Sequence, residues 1–210
     1  MIKFSALYGM IDRPADVTSS LALTRLLLQG GVRVLQLRMK GAGAAAMLAV
    51  ARALQPVCEA AGATLIVNDR LDVALAGGAD GVHLGQDDLP LSAARKIAGG
   101  KIIIGISTHN EKQAIAAYQG GADYIGFGPC FSTVSKPNPD PQVTLEELSC
   151  VCRLGLPVVA IGGITLATVP LVARAGASAA AVISAINSSG DVAAAVREFI
   201  SVFEKARSAV

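Results

Sequence analysis

The chain has 210 residues, of which 52% are hydrophobic and 16% are charged, and its formal net charge is +2. This balance indicates that residues 1–210 form a single well-packed domain. Scattered cations and an aromatic content of 4%, with no Trp, argue against a nucleic-acid-binding surface. The start, MIKFSALYGM, has no long apolar core, and no run reaches the roughly 18 apolar residues of a membrane span, so we expect a cytoplasmic protein without a membrane partner.

The predicted elements alternate between strands and helices along the whole chain. A first strand is predicted over 3–11, and each of the next seven strand-like runs follows a helical pattern that ends in glycine. Glycine ends a helix at low cost because it adopts the left-handed conformation. A last helix is predicted over 191–206. The seven glycines are Gly31, Gly62, Gly78, Gly100, Gly121, Gly155 and Gly176.

Repeated βα units predict a parallel sheet with right-handed crossovers. Eight of them in 210 residues predict the α/β class and a single (β/α)8 TIM barrel. A doubly wound open sheet is the alternative, but the segment after the first strand, LYGMIDRP, lacks the Gly-rich fingerprint that such a sheet normally carries there.

Polar residues follow the predicted strands, at the end of the barrel where active sites of this architecture lie. The second strand, in VRVLQLRMK, ends with Gln36, Arg38 and Lys40 at alternate positions, so their side chains share one face. A strand that simply emerges into solvent is the alternative for this segment alone. Polar residues at other strand ends are Asn68, Asp69, Arg70, Gln86, Asp87, Asp88, Ser107, Thr108, His109, Ser132, Thr133, Ser135 and Lys136.

Carboxylates at adjacent strand ends suggest a magnesium site. Asp69 and either Asp87 or Asp88 are suitable ligands, because Mg²⁺ takes one or two carboxylates together with waters and phosphate oxygens. The alternative is that Asp88 caps the following helix. Arg38 and Lys40 favour the metal, since a site that carries both signs of charge suits a pyrophosphate.

The last two strands end in AIGGI and VISAI, where barrels of this type often bind phosphate. Glycine lets backbone N–H groups approach an anion, and a helix that begins there adds its dipole. A glycine that only makes a tight turn is the alternative. The loop FSTVSKPNPDP after the sixth strand is interpreted as an ordered flap whose hydroxyls hydrogen-bond a second phosphate.

The segments QLRMK, IVNDR, GVHLGQDD, GISTH, FGPCFSTVSK, AIGGI and VISAI, in this order, resemble the thiamine phosphate synthase family. The resemblance runs from about residue 5 to 190. It implies a TIM-barrel transferase that joins 4-amino-5-hydroxymethyl-2-methylpyrimidine pyrophosphate to 4-methyl-5-(2-phosphooxyethyl)thiazole, or to its carboxylated form. It also implies Mg²⁺ as cofactor and a dissociative substitution that releases pyrophosphate.

The resemblance further implies roles for individual residues. Asp69 and Asp88 would hold Mg²⁺, and Arg38, Ser107 and Lys136 would act in catalysis. The pyrimidine pyrophosphate would be bound by Gln36, Arg38, Lys40, Asn68, Ser107 and Lys136. The thiazole phosphate would be bound by Thr133, Ser135, Gly163, Ile183 and Ser184. On this scheme the protein requires no strong nucleophile or base.

Three positions depart from the family pattern. Met39 stands where an acidic residue is usual, and alternation predicts that it faces away from the barrel mouth. Ser135 stands where threonine is common, which keeps the hydroxyl. Val143 stands where glycine is common, and we expect it to affect closure of the flap.

The remaining titratable groups receive structural interpretations. His83 is predicted to be a hydrogen-bonded core residue, and His109 is given no proton-transfer role. The four cysteines are interpreted as reduced packing residues, because no histidine lies near the closely spaced pair to complete a zinc site. They are Cys58, Cys130, Cys150 and Cys152.

Two rival functions remain open, and a third, a generic sugar-phosphate barrel enzyme, would explain IGGI and VISAI but leave the two carboxylates and QLRMK unused. A thiazole tautomerase would handle only the thiazole phosphate, with His109 as acid–base, and would not need both Asp69 and Asp88. A catalytically silent barrel that binds phosphometabolites and acts on a protein partner is the second rival. In every case small molecules are the expected ligands, and the resemblance also allows a homo-oligomer.

Overall fold

The computed structural model describes residues 2, 4–12, 16–100, 102–132 and 140–209. Within these ranges, eight parallel strands pair in chain order, and β1 also pairs with β8, which closes the barrel. The strands are β1 (Ala6–Ile11), β2 (Val34–Leu37), β3 (Thr64–Asn68), β4 (Gly81–Leu84), β5 (Ile103–Thr108), β6 (Tyr124–Phe127), β7 (Val158–Ile161) and β8 (Ala179–Val182). The helices are α1 (Val17–Gly30), α2 (Ala44–Ala60), α3 (Leu71–Gly77), α4 (Leu91–Ala98), α5 (Glu111–Gln119), α6 (Leu145–Cys152), α7 (Val169–Arg174), α8 (Ser184–Asn187) and α9 (Val192–Arg207).

The predicted (β/α)8 barrel is confirmed. All seven glycines that precede strands have a positive φ, between 62° and 112°, as the helix–glycine–strand pattern predicts. The first strand is shorter than predicted, since it begins at Ala6 and not at residue 3, and the last helix is shifted by one residue. Helix α8 was not predicted, because four residues are too few to show a helical period.

The apolar core has two layers, one between the strands and the helices and one inside the barrel. Alternate residues of β2 enter different layers: Leu35 and Leu37 face the helices, whereas Val34 lies inside the barrel. Met39 is buried in the outer layer, as alternation predicted. The apolar residues inside the barrel are Tyr8, Met10, Val34, Ile66, Tyr124, Val159, Ala179 and Ala181.

Glycines on the strands make room for the large rings inside the barrel. A Cβ atom at Gly105 would overlap the ring of Tyr124, and one at Gly126 would lie 3.3 Å from Cε1 of His83. Real Cβ atoms essentially never approach another atom as closely as at Gly105, so β5 needs glycine there, whereas at Gly126 the contact is only tight and a Cβ would require His83 to shift slightly. The two large side chains therefore occupy space that neighbouring strands leave empty.

The four cysteines are free thiols, in agreement with the expected reduced state. Cys58 and Cys130 are buried and Cys152 is partly buried, so these three pack as predicted. The packing interpretation is wrong for Cys150, which is exposed. Two cysteines that are two apart on α6 point to different sides of the helix, and only one side faces the core.

Candidate active site

Strand β2 brings a glutamine and two cations to the carboxyl end of the barrel. Gln36 is buried, and its Nε2 donates a hydrogen bond to Oη of Tyr8 at 3.0 Å. The backbone N–H of Arg38 donates to the carbonyl of Ile11 at 2.8 Å, which extends the pairing of β2 with β1 by one residue. Arg38 is half-buried and Lys40 is exposed, so the segment leaves the barrel gradually toward solvent.

Two carboxyl groups from adjacent strand ends lie together beside these cations. Asp69 follows β3 with a φ of 63°, an uncommon backbone conformation for a residue with a side chain. Burial raises the pKa of Asp69 to about 6, and the hydrogen bond with Asp88 and its charge add to the rise. The positive charges of Lys40 and Arg38 act in the opposite direction and hold the pKa of Asp69 down. Both signs of charge are therefore gathered at one point of the rim.

The structure decides which aspartate of GQDD faces Asp69. Oδ2 of Asp88 accepts a hydrogen bond from the N–H of Gly85 at 2.6 Å, whereas Asp87 is exposed. Helix α4 begins after Pro90 without a side-chain cap, so the interpretation of Asp88 as a helix cap is wrong. The backbone turn at Gly85 directs the second carboxylate inward and the first outward.

A chain of hydrogen bonds crosses the barrel interior from Gln36 on β2 to Ser107 on β5. From Gln36 it passes to Tyr8, then to Tyr124, whose hydroxyl oxygen lies 2.7 Å from that of Tyr8. It continues to Nδ1 of His83 at 2.9 Å, and Nε2 of His83 lies 2.9 Å from Oγ of Ser107. Two predicted site residues on opposite sides of the barrel are thereby connected through three buried rings.

His83 is a hydrogen-bonded core residue, as predicted, and burial lowers its pKa to about 4. Its imidazole is therefore neutral at pH 7. Tyr8 and Tyr124 were not predicted, because they lie within the strands and candidate site residues were taken from the polar strand ends. Their signal is strand alternation, since a tyrosine at an inward position of a barrel strand needs a hydrogen-bond partner inside.

The turn after β7 lies against the start of the loop after β6. The N–H of Phe131 donates to the carbonyl of Gly162 at 3.0 Å, and a Cβ atom at Gly163 would lie 2.8 Å from Cβ of Phe131. Gly163 also has a φ of 62°. The glycine is thus required by packing as well as by the turn. After β8, Ile183 is half-buried and Ser184 is the exposed first residue of α8.

Three predicted site residues, Thr133, Ser135 and Lys136, lie outside the described residues. Beyond them, the N–H of Val143 donates to the carbonyl of Pro129 at 2.9 Å, and the Val143 side chain is buried. Val143, one of the three departures from the family pattern, therefore connects the end of the loop to its beginning.

His109, the residue that a tautomerase would use, makes two contacts near the same loop. Its Nδ1 lies 2.7 Å from the carbonyl oxygen of Gly128, and its Nε2 lies 3.5 Å from Oδ2 of Asp140. A carbonyl oxygen can only accept, so Nδ1 carries a hydrogen. These contacts give His109 a role in holding the loop after β6.

The predicted site residues that the structure describes all lie at or just beyond the carboxyl ends of the barrel strands. They are Gln36, Arg38, Lys40, Asn68, Asp69, Asp88, Ser107, Gly163, Ile183 and Ser184. A closed parallel barrel with charged groups collected at this rim defines the class of the protein, a (β/α)8-barrel enzyme.

Comparison with known proteins identifies the family within this class. The profile of the thiamine monophosphate synthase family matches residues 7–186. The thiamine-phosphate synthase of Methanospirillum hungatei is 46% identical over 182 residues, which cover 86% of this chain and 88% of that protein. The enzyme of the same name from Methanocella arvoryzae is 47% identical over 186 residues, 88% of each chain.

Solved structures agree with these relatives. The thiamine phosphate pyrophosphorylase of Pyrococcus furiosus superposes with a TM-score of 0.84 and 35% identity, over 95% of this chain and 96% of that chain. A 3-hexulose-6-phosphate synthase, 21% identical with a TM-score of 0.67 over 94% of this chain and 99% of that one, shares the fold. The chain belongs to the thiamine monophosphate synthase family. Its function is that of a thiamine-phosphate synthase, a transferase, and the tautomerase alternative is not favoured.

Proposed function

We propose that this protein condenses 4-amino-5-hydroxymethyl-2-methylpyrimidine pyrophosphate with 4-methyl-5-(2-phosphooxyethyl)thiazole, or its carboxylated form, and releases pyrophosphate. The observation that carries the proposal is that two cations, Arg38 and Lys40, lie close to two carboxyl groups, Asp69 and Asp88. The positive charges counteract the rise in the pKa of Asp69. A pyrophosphate bound together with a metal ion needs both signs of charge within reach.

Asp69 and Asp88 fit a magnesium ion. Burial and the neighbouring Asp88 both raise the pKa of Asp69, and a divalent cation bound between the two carboxylates would offset their repulsion. In the described part of the chain no group of three or more His, Cys, Asp or Glu residues is suited to a metal ion. Two carboxylates without further protein ligands suit Mg²⁺, which keeps waters and phosphate oxygens, better than zinc. When bound, Mg²⁺ would neutralise charge on the pyrophosphate.

The proposed reaction is a dissociative substitution. The bond between the pyrimidine methylene carbon and the pyrophosphate oxygen breaks, and its electron pair leaves with pyrophosphate. Electron donation from the aminopyrimidine stabilises the resulting cation, and the thiazole nitrogen then supplies the electron pair of the new C–N bond. Arg38 and Lys136 stabilise the charge that develops on the leaving group, which is the main demand on the protein.

The other residues hold the two reactants in line. Gln36, Asn68 and Ser107 bind the pyrimidine side, and Lys40 adds a cation for the pyrophosphate. The assignment of Gln36 and Asn68 is supported by their burial and by their positions at the carboxyl ends of β2 and β3. The thiazole phosphate is assigned to Gly163, Ile183 and Ser184 at the rim after β7 and β8, and, from the family resemblance alone, to Thr133 and Ser135.

We further propose that residues 1–210 form a single domain, that the ligands are small molecules without nucleic acid, and that the protein is cytoplasmic. Among the helices of the described residues, none has both the length and the apolar character needed to cross a membrane. The possibility of a homo-oligomer follows from the family resemblance alone.

The test is product formation by the purified protein. The two substrates are incubated with Mg²⁺, the mixture is oxidised, and the fluorescence of the thiochrome product is read. Asp88→Ala should abolish the signal, whereas Asp87→Ala is the matched control, because this exposed neighbour should leave it unchanged. Signal that depends on magnesium and on Asp88 supports the proposal. Isomerisation of the thiazole phosphate without condensation, or binding without any product, contradicts it.

A further inference from the structure

The hydrogen-bond chain between Gln36 and Ser107 has a direction. Nε2 of Gln36 can only donate, so Oη of Tyr8, 3.0 Å away, accepts from it. A tyrosine hydroxyl has one hydrogen, and since Tyr8 accepts from Gln36, we assign its hydrogen to the contact with Oη of Tyr124, 2.7 Å away. The hydrogen of Tyr124 is then directed to Nδ1 of His83 at 2.9 Å.

The direction continues through the imidazole. A neutral imidazole has one N–H and one acceptor nitrogen. If Nδ1 of His83 accepts from Tyr124, its Nε2 carries the hydrogen and donates to Oγ of Ser107 at 2.9 Å. Ser107 therefore accepts from the barrel interior and keeps its own hydrogen for another partner. If every bond of the chain were reversed, the hydroxyl hydrogen of Tyr8 would point at the N–H of Gln36. Two donors would then face each other, and a buried donor would lack an acceptor.

The surroundings hold the rings of this chain in place. Gly105 and Gly126 leave the space that the rings of Tyr124 and His83 fill. On the far side, the ring of Phe4 packs against Tyr124 with centroids 5.6 Å apart and against Tyr8 at 6.2 Å. Rings that are packed on several sides keep their hydrogen-bond geometry without a ligand.

We propose that Tyr124 and His83 are positioning residues that make Ser107 a hydrogen-bond donor toward the substrate and leave Oε1 of Gln36 as an acceptor. The inference rests on the proposed function, in which both residues bind the pyrimidine. An aminopyrimidine offers the complementary pair, an amino N–H beside the lone pair of a ring nitrogen. A 4-oxo pyrimidine offers these groups in the opposite order. The buried chain thus selects the amino form of the substrate.

The first test reads the tautomer of His83 and does not depend on activity. The protein has two histidines, so a long-range ¹H–¹⁵N spectrum of the labelled full-length chain at neutral pH is simple to assign with a His109→Gln variant. His83 should show the Nε2–H tautomer. His109 serves as the internal reference, since its Nδ1 faces the carbonyl of Gly128 at 2.7 Å and must carry a hydrogen. A neutral His83 with its hydrogen on Nδ1, or a cationic His83, would overturn the inference.

Two tyrosine variants locate the cause of the tautomer. Tyr124→Phe removes the donor to Nδ1 and should replace the single Nε2–H pattern of His83 by a mixture or by the other tautomer. Tyr8→Phe leaves the Tyr124 hydroxyl in place and should preserve the pattern. If Tyr124→Phe leaves the pattern of His83 unchanged, the proposed role of Tyr124 is wrong.

A double-mutant cycle tests whether Tyr124 acts through Ser107. Tyr124→Phe alone should lower kcat/KM for the pyrimidine pyrophosphate by about 10- to 100-fold, by analogy with the loss of a residue that orients a metal ligand. In a Ser107→Ala background the same change should cost no more than about twofold, because the residue it orients is already absent. If the fold-losses of the two single variants multiply in the double variant, Tyr124 has a general structural role and the inference is overturned. If the unmodified protein forms no product, the proposed function fails, while the His83 spectrum still decides the direction of the chain.

Discussion

The carboxyl groups of Asp69 and Asp88, at the ends of two adjacent strands, lie close enough to share a hydrogen bond when one of them is protonated. Asp69 reaches its partner from a backbone conformation with a φ of 63°, and Asp88 is held in place by the N–H of Gly85. Two acidic groups so close to each other cost stability when both are ionised. The pair therefore has properties that can be measured in the metal-free protein, before any substrate is added.

Asp69→Asn should change how stability depends on pH. Folding raises the pKa of Asp69 from 3.8 to about 6, so the folded state binds this proton more tightly, and the free energy of unfolding falls as the pH rises from about 4 to about 6. A pKa rise of this size corresponds to a fall of about 3 kcal/mol in the free energy of unfolding, which solvent screening of the half-buried group reduces to about 1 kcal/mol. Asparagine also tolerates the positive φ.

The measurement is urea unfolding of EDTA-treated protein at pH 4.5 and at pH 7.5, for the unmodified chain and for Asp69→Asn. The variant should gain stability relative to the unmodified protein at the higher pH, by about 1 kcal/mol. Titrating groups remote from Asp69 are common to both proteins and cancel in the difference, which therefore reports Asp69 together with the charged groups beside it. A difference that does not vary with pH would show that the carboxyl pair has no such cost.

Arg38→Lys should weaken the reaction although it keeps the charge. A guanidinium can bind two oxygens of a pyrophosphate at once, whereas an ammonium acts as a point charge. We expect kcat/KM for the pyrimidine pyrophosphate to fall about 10- to 100-fold, the value of one hydrogen bond to a charged group. Steady-state kinetics check this, with Arg25→Lys, an exposed position on α1, as the control. Equal kinetics for both variants would remove bidentate binding from the proposed role of Arg38.

Lys136→Ala should lower kcat by about 10²–10³, because a preorganised group that stabilises charge on a leaving group is commonly worth that much. Stopped or coupled assays of pyrophosphate release measure the effect. Lys112→Ala, an exposed lysine on α5, is the matched control for loss of a positive charge. A loss below about tenfold would remove Lys136 from the catalytic residues.

Gly163→Ala should destabilise the protein more than Gly155→Ala. Both glycines have a positive φ, 62° and 93°, so alanine is strained at either position. At Gly155 no atom lies within 4 Å of the added Cβ, whereas at Gly163 it would lie 2.8 Å from Cβ of Phe131. This overlap should cost about 1–3 kcal/mol more in the free energy of unfolding. Equal losses in urea unfolding would show that the loop yields without cost.

Much of the site could be predicted because it follows a simple rule of position. In a parallel barrel all strand ends with the same polarity meet at one rim, so Arg38, Asp69 and Ser107 could be placed together from their order alone. The rule did not distinguish Asp87 from Asp88, since the turn at Gly85 has no period to follow. It also did not predict helix α8, because its four residues span only about one turn of the helical pattern.

The sequence by itself determined the barrel, through eight apolar runs and the seven glycines that end the helices, because these signals are local and repeat along the chain. Only the tertiary structure decided what lies inside the barrel. Tyr8 and Tyr124 are 116 residues apart and share a hydrogen bond, and His83 joins them to Ser107 from a third strand. No local pattern records such a chain, since it exists only when closure of the sheet brings the inner faces of distant strands together.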